Sequence, residues 1–141
     1  MANQDIRWQQ RFSNFKKAMQ KLNEVVTTRT IDQLSELERE GLIQRFEYTY
    51  ELAWKTLQDL LRMKGYVDIA GPNPVIAQAF QDGYLENGEV WKKMKLSREL
   101  SSHTNDETTA EDIAESISSS YYYILKDLQE RLEKELGNRQ G

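Results

Sequence analysis

The chain has 141 residues, a length typical of one domain, and 30% of its residues are charged against 38% that are hydrophobic. Its 19 basic and 23 acidic residues give a net charge of −4. This balance argues against a protein that coats nucleic acid by bulk charge, although a local site for one or two phosphates stays open. The chain has no cysteine, which excludes disulfides, zinc–thiolate sites and thiol catalysis.

The absence of cysteine fits a reducing cytoplasm. The first ten residues are polar and show no signal peptide, and no run approaches the ~18 apolar residues that a membrane span needs. We therefore expect a cytoplasmic protein with no membrane segment. We expect one domain over residues 1–141, with its core from about residue 6 to residue 135 and a frayed tail over residues 137–141.

Apolar residues recur at steps of three and four in the first half of the chain, which predicts amphipathic helices. The first helix runs from about Ile6 to Val26. The second opens at Ser35, where Glu38 completes a capping box, and closes at Gly65. Its apolar stripe consists of Leu42, Phe46, Tyr50, Trp54, Leu57 and Leu61.

The second half of the chain predicts one short and two long helices. Asn73 and Pro74 can start a short helix that Asp82 and Gly83 end. The fourth helix carries Val90, Trp91, Met94 and Leu100, and a polar link over residues 101–108 follows it. Thr108 or Thr109 can cap the last helix, whose stripe consists of Ile113, Ile117, Ser120, Ile124, Leu128 and Leu132.

No run has the period of two that is typical of a strand. The connections are short, so consecutive helices should pack antiparallel. We predict an all-α fold, an antiparallel up-down helical bundle with four main helices plus one short helix. Its core should include Trp54, Leu57, Ile117 and Ile124.

Arg98 and His103 are the strongest candidates for chemistry. If the fourth helix ends near Ser101 and the chain turns, an arginine and an imidazole five residues apart can converge on one oxyanion, whereas on a continuous helix they would diverge by about 140°. Histidine titrates near neutral pH and arginine matches the shape of a phosphate. The pair could cleave RNA without a metal, with His103 taking a proton from a 2′-OH and Arg98 stabilising charge on the phosphate.

Lys92 and Lys95 precede Arg98 on neighbouring turns and could deepen a local positive patch. A plainer interpretation also stands: an arginine at a helix end that bonds the last carbonyl groups, followed by a solvated histidine. Spacing alone does not choose between the two.

Two other groups of residues have a chemical and a structural interpretation. Glu47 and Glu51 resemble paired carboxylates, but Lys55 lies four residues after Glu51, which favours a surface ion pair over a metal site. We predict no metal and no cofactor. The consecutive rings of residues 121–123 cover more than half of a helix circumference, so at least one should be buried and another exposed.

The stretch from Phe46 to Lys55 resembles the second-helix signature of small bacterial proteins named nucleotidyltransferase substrate-binding proteins. A second stretch resembles their other signature through Gly88, Trp91, Arg98 and His103. The resemblance spans roughly residues 8 to 135. It implies a helical domain of the HEPN group, related in fold to the helical domain of kanamycin nucleotidyltransferase.

The resemblance also implies partners and a role. Members work beside a separate minimal nucleotidyltransferase with which they form a complex, and many such pairs are toxin and antitoxin. The helical chain is then a metal-independent ribonuclease whose Arg-x4-His motif, here Arg98 and His103, is paired across a homodimer. The transferase silences it by adding AMP to a tyrosine two residues after the histidine.

Two positions depart from that pattern. Glu99 stands where asparagine is frequent, and a carboxylate beside a phosphate site would repel RNA. Asn105 stands where the modified tyrosine would be, and asparagine has no hydroxyl to accept AMP. We therefore expect no AMP transfer at this position and keep Asn105 as a candidate binding residue. The open hypotheses are a partner subunit with an RNA-cleaving site, a non-catalytic subunit that binds the transferase or its substrate, and a purely structural bundle.

Overall fold

The computed structural model describes the backbone of residues 2–103 and 106–140, and the side chains of residues 6–101 and 106–137. This part of the chain is helical and contains no strand, so the predicted all-α fold is confirmed. The principal helices are α1 (Ala2–Val26), α2 (Glu36–Met63), α3 (Pro72–Gln81), α4 (Gly88–His103), α5 (Glu107–Ser116) and α6 (Tyr122–Gln140). A 3-10 turn spans Ile31–Gln33, and a π-helical segment, Ile117–Tyr121, joins α5 to α6.

Helix α2 is the centre of the bundle and packs against all five other helices. Its direction relative to α1 follows from two contacts. Arg11 on α1 pairs with Asp59 late in α2 at 2.8 Å, and Arg45 early in α2 donates to the carbonyl oxygen of Lys21 late in α1. The two helices are therefore antiparallel, as the short connection predicts.

The core is formed by large apolar side chains from every helix and from the π-helical segment. Burial of these side chains is the main source of stability for a bundle of this kind. The fully or almost fully buried set includes Trp8, Phe12, Phe15, Leu22, Leu42, Phe46, Leu57, Leu61, Val75, Trp91, Met94, Ala114, Ile117 and Leu125. Within the described ranges, every helix is too short or too polar to cross a membrane.

Both ends of α2 form as the sequence predicts. The Ser35 hydroxyl accepts the backbone N–H of Glu38 at 3.1 Å, and the Glu38 carboxylate accepts the N–H of Ser35 at 2.9 Å. At the other end Gly65 has a φ of +115°, the backbone N–H of Gly65 donates to Arg62 and that of Tyr66 donates to Leu61. This is a Schellman motif, and its left-handed residue explains why glycine is needed there.

Two helix starts differ from the prediction. The cap of α5 is Asp106, and neither Thr108 nor Thr109 has this role. The Asp106 carboxylate accepts the Thr109 hydroxyl at 2.8 Å and its backbone N–H at 3.2 Å, and these bonds lower the pKa of Asp106. Helix α3 begins two residues earlier than predicted, at Pro72, with Gly71 as its cap.

The predicted last helix corresponds to α5, the π-helical segment and α6 together. The π-helical segment changes which residues in the middle of this stretch are buried. The sequence predicts Ser120 and Ile124 in the apolar stripe, but Tyr121 and Leu125 are buried and the predicted pair is only partly so. A π turn takes one more residue than an α turn, which moves the stripe by one position at Tyr121 and Leu125. Further along, Leu128 and Leu132 are buried as the sequence predicts. Of the predicted core residues, Leu57 and Ile117 are fully buried, whereas Trp54 and Ile124 are half-buried.

The prediction for the three consecutive tyrosines is confirmed. Tyr121 and Tyr122 are buried, and Tyr123 is half exposed. The Tyr121 hydroxyl lies 2.7 Å from the Ser97 hydroxyl on α4. The π-helical segment is therefore tied to α4 by a polar contact inside the core. Helix α6 continues to Gln140, and both the fraying of residues 137–141 and the single domain over residues 1–141 stay predictions.

A buried carboxylate on α6 ties three parts of the chain together. Glu135 accepts the hydroxyl of Tyr84 at 2.9 Å and lies 3.1 Å from the ammonium of Lys64. Burial alone would raise the pKa of Glu135, but the bonds from Lys64 and Tyr84 and the attraction of Arg131 outweigh it and lower the pKa. The ionised form is therefore the one that the folded state favours.

This lowered pKa predicts a pH-dependent contribution to stability. A carboxyl group with a lowered pKa in the folded state stabilises it fully above its ordinary pKa of 4.5, and the contribution disappears as the pH falls through the lowered value. Glu135→Gln should lower the free energy of unfolding by about 1–3 kcal/mol at neutral pH, measured by urea unfolding. The gap to wild type should close at acid pH. The exposed Glu133→Gln on the same helix is the control, and a gap for Glu135→Gln that is independent of pH would contradict the prediction.

Candidate functional site

Arg98 lies where α4 crosses the middle of α2. Its Nε is 3.4 Å from Oε1 of Glu51, and its Nη1 is 3.7 Å from Oε2 of Glu47. The two glutamates are four residues apart and so share a face of α2. Ser101, one turn further along α4, donates its hydroxyl to Glu47 at 2.8 Å. These contacts run in opposite directions along the two helices, so α2 and α4 are antiparallel.

We call this contact between α2 and α4, formed by Glu47, Glu51, Arg98 and Ser101, the charged seam. The packing of α4 explains why Arg98 lies there. Trp91 and Met94 are buried on the inner face of the helix. Arg98 follows Met94 by four residues, which places it on the same side but nearer the surface, with 33% of its side chain exposed. A partly exposed cation in this position can be reached from solvent while it contacts both carboxylates.

The two lysines that the sequence suggests could deepen a positive patch near Arg98 lie beside carboxylates of their own helix. Lys95 lies 2.5 Å from Glu99, and Lys92 lies 3.5 Å from Glu89. On α2, Lys55 lies 3.8 Å from Glu51, which is the ion pair that the sequence predicts. The seam thus carries alternating positive and negative charges, which reduces the attraction that a positive patch would have for an anion.

The bend that would bring Arg98 and His103 together is not where the sequence argument needs it. Helix α4 does not end near Ser101 but continues through His103. Along a regular helix, residues five apart differ in direction by about 140°. The side chain of His103 and the whole of Asn105 lie outside the described residues, so the roles assigned to both stay predictions.

Behind Arg98 lies a tyrosine that the sequence predicts only as core. Tyr50 is 1% exposed, and its hydroxyl has no hydrogen-bond partner in the described part of the chain. Burial raises the pKa of Tyr50, as do the charges of Glu51 and Glu99, while Arg98 opposes them. The phenol therefore stays neutral beside the charged seam. Its position depends on the register of α2 against α4, for which the sequence offers no signal.

A cavity of about 440 Å³ lies beside this seam, between α2 and α5. Glu47 and Ser101 line it together with further acidic side chains, among them Glu36, Glu40 and Glu107. Arg39 contributes a positive side chain to the described lining of the cavity, and its Nη1 lies 3.3 Å from a carboxylate oxygen of Glu111. The space next to Arg98 is therefore rich in carboxylates. Among the residues that the structure describes, no group of three or more side chains is placed to hold a metal ion.

The fold and the charged seam define an all-helical domain whose two sequence signatures meet across α2 and α4. The sequence matches the family described as "Nucleotidyltransferase substrate binding protein like" over residues 10–134, and the chain belongs to that family. No curated protein matches the sequence. The chain is similar to a protein from Thermus thermophilus with a crystal structure, at 33% identity and a TM-score of 0.74, over 84% of this chain and 98% of that one.

The unpartnered hydroxyl of Tyr50 leads to a stability prediction. A buried hydroxyl without a partner destabilises the folded state, so Tyr50→Phe should raise the free energy of unfolding by about 1 kcal/mol or leave it unchanged. Tyr84→Phe is the matched control, because it removes a hydroxyl that donates to buried Glu135 and should lower stability by about 1–3 kcal/mol. Chemical unfolding of both variants measures the difference. An equal loss in both would show that the Tyr50 hydroxyl has an acceptor.

Proposed function

We propose that this chain is the helical partner subunit of a separate minimal nucleotidyltransferase and that its role is to bind the transferase or its substrate. The family match supports this proposal, because it covers residues 10–134 and so includes both helices of the charged seam. The description of the family names a substrate-binding protein and not a transferase.

The surroundings of Arg98 favour a binding role over a catalytic one. A phosphate that approached the guanidinium would compete with Glu47 and Glu51, which already lie within 3.7 Å and 3.4 Å of it. The neighbouring cavity adds further negative charge. A site of this charge pattern suits polar contacts with a protein or a cationic group better than the backbone of RNA.

Helix α4 also offers a surface for a second copy of the chain. Leu96 and Leu100 lie one turn apart on it and are 53% and 44% exposed. Together they form a small apolar stripe, which a second copy of the chain would cover. Because the same helix carries Arg98, a homodimer through this stripe would bring two charged seams near each other.

The assembly is tested by co-expression with a minimal nucleotidyltransferase from the same source. The tagged chain should retain the transferase through purification, and light scattering of the chain alone should give twice its mass of 16.6 kDa. Leu96→Glu combined with Leu100→Glu should reduce that mass to one chain, since two charges would be buried in the interface. The exposed Leu37→Glu on α2 is the control. A wild-type monomer that does not retain the transferase would contradict the proposal.

A metal-independent ribonuclease is the second candidate. The observation that favours it is the partial exposure of Arg98, which a phosphate can reach from solvent. Because α4 continues through His103, residues five apart on it differ in direction by about 140°, so the pair of Arg98 and His103 is proposed to form across a homodimer. In this mechanism His103 takes the proton of the ribose 2′-OH and Arg98 stabilises the charge on the phosphate. The 2′-oxygen bonds to phosphorus as the bond to the 5′-oxygen breaks, which gives a 2′,3′-cyclic phosphate and a second strand whose 5′-oxygen takes a proton from water to become a hydroxyl.

The ribonuclease is tested with labelled single-stranded RNA in EDTA. His103→Ala should slow cleavage by about 10²–10⁴, and Arg98→Ala by about 10²–10³. Glu51→Gln should speed cleavage, because it removes a competitor of the phosphate for Arg98. Cleavage that persists in His103→Ala would identify a contaminating nuclease. If no form cleaves RNA while the transferase complex forms, the binding role stands and the ribonuclease is excluded.

A further inference from the structure

Three cations where α1 packs on α2, two of them on α1 and one on α2, differ from those around Arg98. Lys17 and Lys21 on α1 are exposed, and neither forms an ion pair with a described residue. Arg45 on α2 is exposed as well, and its Nη1 donates to the backbone carbonyl oxygen of Lys21 at 2.8 Å. That bond holds the guanidinium against the backbone of α1 at Lys21 and uses no carboxylate. The positive charge of this face is therefore available to an anion.

An exposed aromatic ring lies among these cations. Tyr48 on α2 is 61% exposed, and its hydroxyl has no hydrogen-bond partner among the described residues. A cavity of about 420 Å³ beside the ring is lined by side chains of α1, namely Asn14, Lys17, Ala18, Gln20, Lys21 and Glu24. Exposed tyrosine next to lysine and arginine is the pattern of surfaces that stack a nucleobase and hold its phosphates.

We propose that Lys17, Lys21, Arg45 and Tyr48 form a binding site for a short segment of single-stranded nucleic acid. The base stacks on the Tyr48 ring, and the phosphates on either side contact the three cations. Lys17 and Lys21 are about 6 Å apart along the helix axis, which lets them contact successive phosphates of an extended strand. The inference goes beyond the proposed function, because it requires neither cleavage at Arg98 nor the transferase.

The charges of the chain set the scale of this site. The net charge of −4 opposes a long polyanion, and Glu24 adds one carboxylate to the cavity lining. Three cations neutralise two or three phosphates. The ring has to meet an unstacked base, which a single strand presents and a regular duplex does not. The site therefore fits a segment of about two nucleotides, held with a modest dependence on salt.

The test measures binding of a labelled oligodeoxythymidine by fluorescence anisotropy at several salt concentrations. This probe has no 2′-OH, so the ribonuclease reaction cannot affect the result. We expect the logarithm of the affinity to fall with that of the salt concentration with a slope of about −1.4 to −2.1, or about tenfold for a fourfold rise in salt. Each of Lys17→Ala and Lys21→Ala should make the slope shallower by about 0.7.

The tyrosine variants test the stacking. Tyr48→Ala should weaken binding by at least about fivefold, whereas Tyr48→Phe should keep the affinity because the ring remains. Tyr123→Ala and Lys126→Ala remove an exposed ring and an exposed cation of α6 and should leave binding unchanged. Lys17, Lys21, Tyr48 and Lys126 are exposed, so their variants should unfold at the temperature of the wild type. Tyr123 also contacts Tyr122, so Tyr123→Ala is compared at a temperature at which it is folded.

Three results would overturn the inference. Unchanged affinity in Tyr48→Ala with a loss in Arg98→Ala would place the strand at the charged seam. Equal competition by a free mononucleotide and by the oligomer would show a nucleotide site and no strand site. No binding at low salt, together with loss of the transferase complex in Lys17→Glu and Lys21→Glu, would show that this face binds an acidic protein surface.

Discussion

The contact on which the site depends is the crossing of α2 and α4. Arg98 reaches from one helix to two carboxylates on the other, and Ser101 adds a hydroxyl to the same glutamate that Arg98 contacts through Nη1. A partly exposed ion pair contributes little to stability by itself. Here several polar groups meet at one crossing above a buried layer that includes Tyr50 and Trp91. The apolar layer stabilises the crossing, and the charges set which residues face each other.

The sequence predicts the fold well because its signals are local. A capping box, a glycine at a helix end and apolar residues at helical spacing depend on neighbours within a few positions. The errors occur where a signal needs context. Asp106 caps α5 in place of a threonine because its carboxylate reaches the Thr109 N–H, and the π turn moves the buried face from Ile124 to Leu125 because it adds one residue.

The sequence predicts candidate residues for the site but not its charge balance. Arg98 and His103 are chosen by residue type and spacing, and their roles stay predictions, whereas the ion pair of Glu51 with Lys55 follows from the rule for helix neighbours and is present. That Glu47 and Glu51 face Arg98 depends on how two distant helices are aligned, which no local pattern encodes. The same holds for the face of Lys17, Lys21 and Tyr48, since its members are separated along the chain and meet only when α1 packs on α2.

The π-helical segment has a consequence for how this chain tolerates change in length. Insertions in the middle of a packed helix usually rotate all later side chains out of register, by about 100° for each residue. Here the segment Ile117–Tyr121 absorbs one residue as a wider turn, and the packing before and after it stays continuous. The bundle thus contains a position where a helix accommodates an additional residue without a loop. A homologue that is one residue shorter at this point can keep the same core with a regular α-helix.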